Sequence, residues 1–153
     1  AANAETNAEF EAAVEILGAM GATDELRRLR DRPGASESLI EAYAIAGDYE
    51  TLSEFARDSS DLERQAEAIE ALGIVGGEEV NTTLVDIYRS SDSPFIREAA
   101  LDGLLIAGHD DGVLMLYRES TNLREKRDLL ETLSVMGSDR LFEVIDEALA
   151  GDQ

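Results

Sequence analysis

The chain has 153 residues, of which 34 are acidic and 13 basic, so its formal net charge is −21. A surface this acidic repels phosphate backbones and disfavours nucleic-acid binding. The absence of cysteine excludes disulfides and thiolate metal sites. No apolar run approaches the roughly 18 residues of a transmembrane helix, so we expect no membrane insertion.

The basic residues are twelve arginines and one lysine, Lys126. High acidity with almost no lysine suggests adaptation to high salt, where repulsion between carboxylates is screened. An ordinary acidic surface encoded by a GC-rich genome is the alternative. Localisation stays open, with a cytoplasmic protein slightly favoured over an exported mature form.

Evenly spaced glycines divide the chain into five similar segments. An apolar residue lies four and eight residues before each glycine, one helical turn apart on one face. A second, shorter amphipathic run follows each glycine. Each segment therefore predicts a helix A, a tight turn and a helix B, with the turns at Gly21, Gly47, Gly76, Gly108 and Gly137.

This pattern predicts ten helices, two in each repeat. In chain order they are A1 (8–20), B1 (23–30), A2 (36–46), B2 (49–57), A3 (62–75), B3 (78–89), A4 (94–107), B4 (110–119), A5 (123–136) and B5 (139–150). Helix caps are expected at Thr23, Ser36, Asp48, Asp61, Ser93 and Ser138. The repeats cover residues 8–32, 36–58, 61–90, 93–120 and 122–150, and residues 1–7 are expected to form a flexible segment.

A helix pair of about thirty residues cannot bury its apolar face alone, but stacked pairs share one continuous core. The repeat pattern therefore predicts a single all-α domain over residues 1–153, a solenoid of about five helical hairpins. A non-repeating helical bundle whose glycines fall at even spacing by chance is the alternative.

The repeats resemble HEAT-like repeats, in particular the short bacterial form related to phycobilisome-lyase-type repeats. Pro94, Ile96-Arg97 and Ala99-Ala100 match the opening of such units, and residues 71–76, Ala-Leu-Gly-Ile-Val-Gly, match their close. This resemblance implies a right-handed superhelix with the A helices on the convex side and the B helices on the concave side. It also implies that partners bind along the B helices.

The sequence offers little for catalysis, so we predict a protein that is not an enzyme and has no cofactor, metal or catalytic residue. His109 is the single histidine, and no second histidine can complete a zinc or iron site. It lies in the turn between A4 and B4, which favours a structural or solvated role. No glycine-rich phosphate loop or nucleophile elbow is present.

A basic residue recurs at the end of four B helices, at Arg30, Arg57, Arg89 and Arg118. One interpretation is a row of guanidinium groups, two of them beside tyrosines, that binds acidic side chains of a partner. The favoured alternative is that each arginine complements its helix dipole and pairs with a carboxylate of the next repeat. The predicted partner-binding residues are Tyr88, Arg89, Tyr117, Arg118, Glu79, Asp86, Asp111 and Met115.

These observations predict a non-catalytic scaffold that binds a protein or peptide partner along its B helices, with a basic partner favoured by the acidic surface. The alternatives are an accessory or docking domain of a larger enzyme or lyase system, and a structural spacer. An open acidic groove would favour the scaffold, and an aromatic pocket would favour the docking domain. Apolar residues on more than one side of B5 predict a monomer or a weak homodimer through a terminal repeat.

Overall fold

A computed structural model describes residues 2–30 and 36–151, which form ten α-helices and contain no strand. The all-α prediction is therefore confirmed for this part of the chain. The predicted connector Arg32-Pro33-Gly34 lies outside the described residues. In chain order the helices are α1 (Ala2–Ala19), α2 (Thr23–Arg28), α3 (Ser36–Ala46), α4 (Tyr49–Arg57), α5 (Leu62–Val75), α6 (Glu78–Ser90), α7 (Pro94–Ala107), α8 (Asp110–Glu119), α9 (Leu123–Val135) and α10 (Arg140–Gly151).

The helix bounds follow the prediction closely, except at the first helix. Five helices have the predicted bounds, and four differ by one or two residues at an end. Helix α1 begins at Ala2, six residues before the predicted start. Alanine and glutamate favour helix in this segment, so residues 2–7, which we expected to be flexible, belong to α1.

The five predicted turns close as expected. Their glycines, 21, 47, 76, 108 and 137, all adopt the left-handed conformation with φ between 64° and 73°. This conformation lacks a steric penalty only when Cβ is absent. The glycine pattern in the sequence therefore locates the ends of the A helices correctly.

Three of the predicted caps are confirmed: the side chains of Asp48, Asp61 and Ser93 accept hydrogen bonds from backbone N–H groups three residues later, at 3.1–3.4 Å. The cap predicted at Thr23 is wrong, because Ala22 is the N-cap and Thr23 is the first residue of the helix. The side chain of Ser36 is not among those described.

Contacts between helices divide the chain into two compact units, unit 1 (Ala1–Val75) and unit 2 (Gly76–Gln153). In unit 1, α1, α3 and α5 pack in succession and α4 packs against α5. In unit 2, α6 packs against α7 and α8 against α9, while α6, α8 and α10 pack in succession. The prediction of one continuous domain remains a prediction.

The core lies where the repeat pattern places it in repeats 2 to 5. The apolar residues four and eight positions before the glycines are buried there: Tyr43, Leu72, Leu104 and Leu133, with Leu39, Ala68, Ala100 and Leu129.

The first and last helices, α1 and α10, depart from this pattern. Ala13 is exposed and Leu17 is half-buried, and Phe142 is 65% exposed. Within their own units, α1 packs against α2 and α3, and α10 packs against α8 and α9, whereas α3 and α8 each pack against four helices. Side chains at positions that are buried in other repeats are left uncovered in α1 and α10.

Candidate functional site

The predicted partner-binding residues lie on α6 and α8 of unit 2, which pack side by side. Helix α6 carries Glu79, Asp86, Tyr88 and Arg89, and α8 carries Asp111, Met115, Tyr117 and Arg118. Tyr88 is buried and Tyr117 is half-buried. The other six are exposed or half-exposed, and we call them the B surface: Glu79, Asp86, Arg89, Asp111, Met115 and Arg118.

A glycine allows α6 and α8 to approach closely beneath the B surface. A Cβ atom on Gly112 would lie 2.1 Å from Asn81 Oδ1 and 3.0 Å from a methyl carbon of Val85. Asn81 in turn donates a hydrogen bond from Nδ2 to Asp111 at 3.3 Å. Because Gly112 has no side chain, α6 and α8 lie close together, and so do the two halves of the B surface that they carry.

The arginines at the ends of the B helices pair with carboxylates of the following B helix. In unit 1, Arg30 pairs with Glu54 at 2.6 Å. In unit 2, Arg89 Nε donates to Glu119 at 2.9 Å and Arg118 pairs with Glu147 at 2.5 Å.

Three of the four arginines therefore make the predicted pair with a carboxylate of the next repeat, and Arg57 is exposed. A partner at the B surface would meet ion pairs rather than isolated cations. The side chain of Met115 is 46% exposed, and its sulfur lies 3.1 Å from Arg89 Nη2.

The side chain of Tyr88 does not lie at the B surface and belongs instead to a polar cluster under α7 and α9. The side chain is only 7% exposed, and its hydroxyl donates to Glu125 at 2.8 Å. The guanidinium of Arg97 lies 4.5 Å from the centre of the ring and also binds Glu125. Ser120 donates to the same carboxylate. Tyr88, one of the predicted partner-binding residues, is therefore buried rather than exposed beside Arg89, and its hydroxyl binds a half-buried carboxylate.

The cluster shifts the ionisation of both acidic groups. Burial, followed by the hydrogen bond to the Glu125 carboxylate, raises the pKa of Tyr88 to about 12. Partial burial opposes ionisation of Glu125, but hydrogen bonds from Ser120, Tyr88 and Arg97 outweigh it and lower the pKa of this carboxyl. Glu125 is therefore anionic and Tyr88 protonated at neutral pH.

A groove of about 980 Å³ lies above this cluster, between α7 and α9. Five carboxylates and two guanidinium groups line it, together with the apolar side chains of Leu101, Leu105 and Val135. Val135 is 74% exposed. The charged residues are Glu98, Asp102, Glu125, Asp128, Glu131, Arg97 and Arg124.

His109 has a structural contact in unit 2. Its Nε2 donates to the carbonyl oxygen of Gly77 at 2.7 Å, so it ties the start of α8 to the start of α6. Within residues 2–30 and 36–151, no group of three or more His, Cys, Asp or Glu side chains is arranged to hold a metal ion. None of the described helices has the length and hydrophobicity needed to span a bilayer.

Comparison with models of known protein families found no match, and comparison with curated proteins found none.

The sequence did not predict the groove, although one signal for it is present. The position five residues before the closing glycine holds Ala42, Ala71 and Gly103 in repeats 2 to 4, but Thr132 in repeat 5. Small residues at this position allow neighbouring A helices to approach closely. The change to threonine therefore indicates a wider separation before α9.

Proposed function

We propose that this protein is a non-catalytic scaffold built from HEAT-like repeats that binds a basic protein or peptide through the B surface. The resemblance of the repeats to HEAT-like units supports this class. The ten helices alternate as such units require, and each predicted closing glycine is left-handed.

The observation that carries the proposal is the charge of the B helices in unit 2. Helices α6, α8 and α10 together contain nine carboxylates and three guanidinium groups, a net charge of −6. Each of the three arginines is already engaged with carboxylates. A surface of this kind favours a cationic partner and accelerates its encounter at low salt.

The scaffold is favoured over an accessory docking domain by the character of the groove in unit 2. The groove between α7 and α9 is acidic and open, and Tyr88 is the one aromatic residue that lines it. Pockets for small molecules are enclosed and mostly apolar. The groove therefore fits a protein or peptide better than a small substrate.

A pull-down at two salt concentrations tests the proposal. Three baits are compared. They are the unchanged chain, a carboxylate variant with Glu79→Gln and Asp111→Asn, and an arginine variant with Arg89→Ala and Arg118→Ala. A captured protein is identified, purified and bound again directly.

We expect a partner of high isoelectric point whose binding weakens with salt and weakens further with the carboxylate variant. Loss only with the arginine variant would assign the role to the cations instead. A partner that is acidic, or that binds equally to all three baits, would refute the proposed B surface.

A further inference from the structure

The two units contain the same kind of cavity at the same positions of the repeat. In unit 1, a cavity of about 320 Å³ between α1 and α3 is lined by Ser38, Glu41, Ala42 and Ile45 from α3. Counted back from the closing glycine, these positions correspond to Asp128, Glu131, Thr132 and Val135 of α9, which line the larger groove in unit 2. The groove is thus an enlarged form of the ordinary contact between A helices.

The side chains at these positions explain the difference in size. In unit 1, a Cβ atom on Gly18 would lie 3.1 Å from the backbone of Ala42, so α1 and α3 approach each other closely at this point. In unit 2, Asp128 and Thr132 replace serine and alanine, and Leu105 of α7 stands at the repeat position of Gly18. A carboxylate cannot be buried between two helices without a partner, so α9 stands away from α7.

The groove has the dimensions and chemistry of a site for a helix. Helix α7 has 14 residues, a length of about 21 Å at the usual rise. Leu101, Leu105 and Val135 supply an apolar strip, and the carboxylates of Glu98, Asp102 and Asp128 flank it. Partner helices that lie in such grooves contribute apolar residues at positions i, i+3, i+4 and i+7.

We infer that the groove between α7 and α9 binds an amphipathic helix of a partner protein whose apolar stripe is flanked by lysine or arginine. The lining carries a net charge of −3, from five carboxylates and two guanidinium groups, so a cationic helix complements it. The occupant fills the space between two A helices whose counterparts in unit 1, α1 and α3, pack directly against each other. This inference rests on the proposed function and adds a second surface to it.

A synthetic helix tests the inference directly. The probe is a 14-residue peptide of leucine and lysine with leucine at helical spacing, matched by a scrambled peptide of the same composition. Its affinity is measured by fluorescence anisotropy. Its site is mapped by the amide chemical shifts of the intact, isotope-labelled chain.

Three charge-matched double variants separate the groove from general attraction to an acidic protein. The groove variant is Asp102→Asn with Asp128→Asn, the B-surface variant is Glu79→Gln with Asp111→Asn, and the control is Glu63→Gln with Glu70→Gln on the exposed side of α5. Each removes two negative charges. Circular dichroism verifies that all three variants keep their helix content.

We expect the groove variant to raise the dissociation constant about tenfold and the control less than twofold, with shifts centred on α7 and α9. A tenfold change corresponds to about 1.4 kcal/mol. Equal binding of the scrambled peptide, or shifts centred elsewhere, would overturn the inference. Loss of binding only with the B-surface variant would overturn it and leave the proposed function standing. No binding of the peptide at all would also overturn the inference, and the pull-down would then decide the proposed function separately.

Discussion

Replacement of Asp48 tests how the helical hairpins of unit 1 are held together. Its carboxylate is buried, with the residue 5% exposed, and it caps α4 by accepting from the backbone N–H of Thr51. It also accepts hydrogen bonds from Arg27 of α2 at 2.7 and 3.0 Å. Arg27 Nε further donates to the Thr51 hydroxyl at 2.9 Å. One side chain therefore joins the end of α2 to the start of α4.

The expected cost of Asp48→Ala follows from these two roles. Loss of an N-cap destabilises by about 1 kcal/mol. Loss of hydrogen bonds to a charged group costs about 1.5–3 kcal/mol, and we take the lower end because Arg27 remains accessible to water. The free energy of unfolding should therefore fall by roughly 2–3 kcal/mol, and the melting temperature by roughly 4–12 °C for a chain of this size.

Urea unfolding followed by circular dichroism measures this change, and Asp61→Ala is the matched control. Asp61 caps α5 in the same way, and it is exposed. We expect it to cost about 0.5–1 kcal/mol. A cycle with Arg27→Ala tests the link between α2 and α4, because the double variant should lose less than the sum of the single ones. Equal costs for Asp48→Ala and Asp61→Ala, or additivity in the cycle, would refute this reasoning.

Four further predictions concern unit 2 and the net charge. Because the folded state raises the pKa of Tyr88 from 10.0 to about 12, its contribution to stability is complete below pH 10 and is lost as the pH rises to 12, by up to roughly 1.4 kcal/mol per pH unit. Tyr88→Phe should remove this slope in urea titrations. Gly112→Ala should destabilise by roughly 1 kcal/mol, because overpacking against Asn81 exceeds the gain in helix propensity. With Asn81→Ala present, the same change should cost less, because only the Val85 methyl carbon, 3.0 Å from the added Cβ, is then crowded. The melting temperature should rise between about 0.1 and 1 M KCl, since salt screens the repulsion of a chain with net charge −21, and an unchanged value would contradict salt adaptation. Phe142→Ser with Leu149→Ser should weaken any self-association seen by analytical ultracentrifugation, with little effect on the melting temperature, because both side chains are exposed.

The helices could be predicted from the sequence because their ends depend on local chemistry. A glycine that adopts positive φ ends an A helix whatever its tertiary surroundings, as at Gly108. A serine or aspartate caps the start of a helix when its side chain accepts a hydrogen bond from the backbone N–H three residues later. The start of α1 was predicted wrongly because no cap or glycine marks the start of this run, which is rich in alanine and glutamate.

Positions that depend on the number of neighbours were harder to predict. Phe142 occupies the repeat position of Leu26, Leu52 and Val113, which are fully buried, yet it is 65% exposed. The hydrophobic pattern of a repeat specifies which side chains could be buried, and the packing of adjacent helices decides which of them are. Tyr88 shows the converse, since it was predicted to bind a partner, yet its ring is buried in contact with Arg97 of α7 and its hydroxyl binds Glu125 of α9.

The groove depends on a distance between two helices, and no single helix encodes that distance. Its sequence signal is a comparison between repeats, namely Thr132 where Ala42 stands in repeat 2, and Asp128 where Ser38 stands. Each substitution alone is compatible with an exposed helix face. Together they put a bulkier side chain and a charge where two helices would otherwise meet. The Thr132 hydroxyl donates to the carbonyl oxygen of Asp128 at 3.0 Å, but the Asp128 carboxylate cannot be buried there without a partner, so the helices separate. A repeat protein can in this way open a groove between two A helices while the core positions Leu129 and Leu133 stay buried.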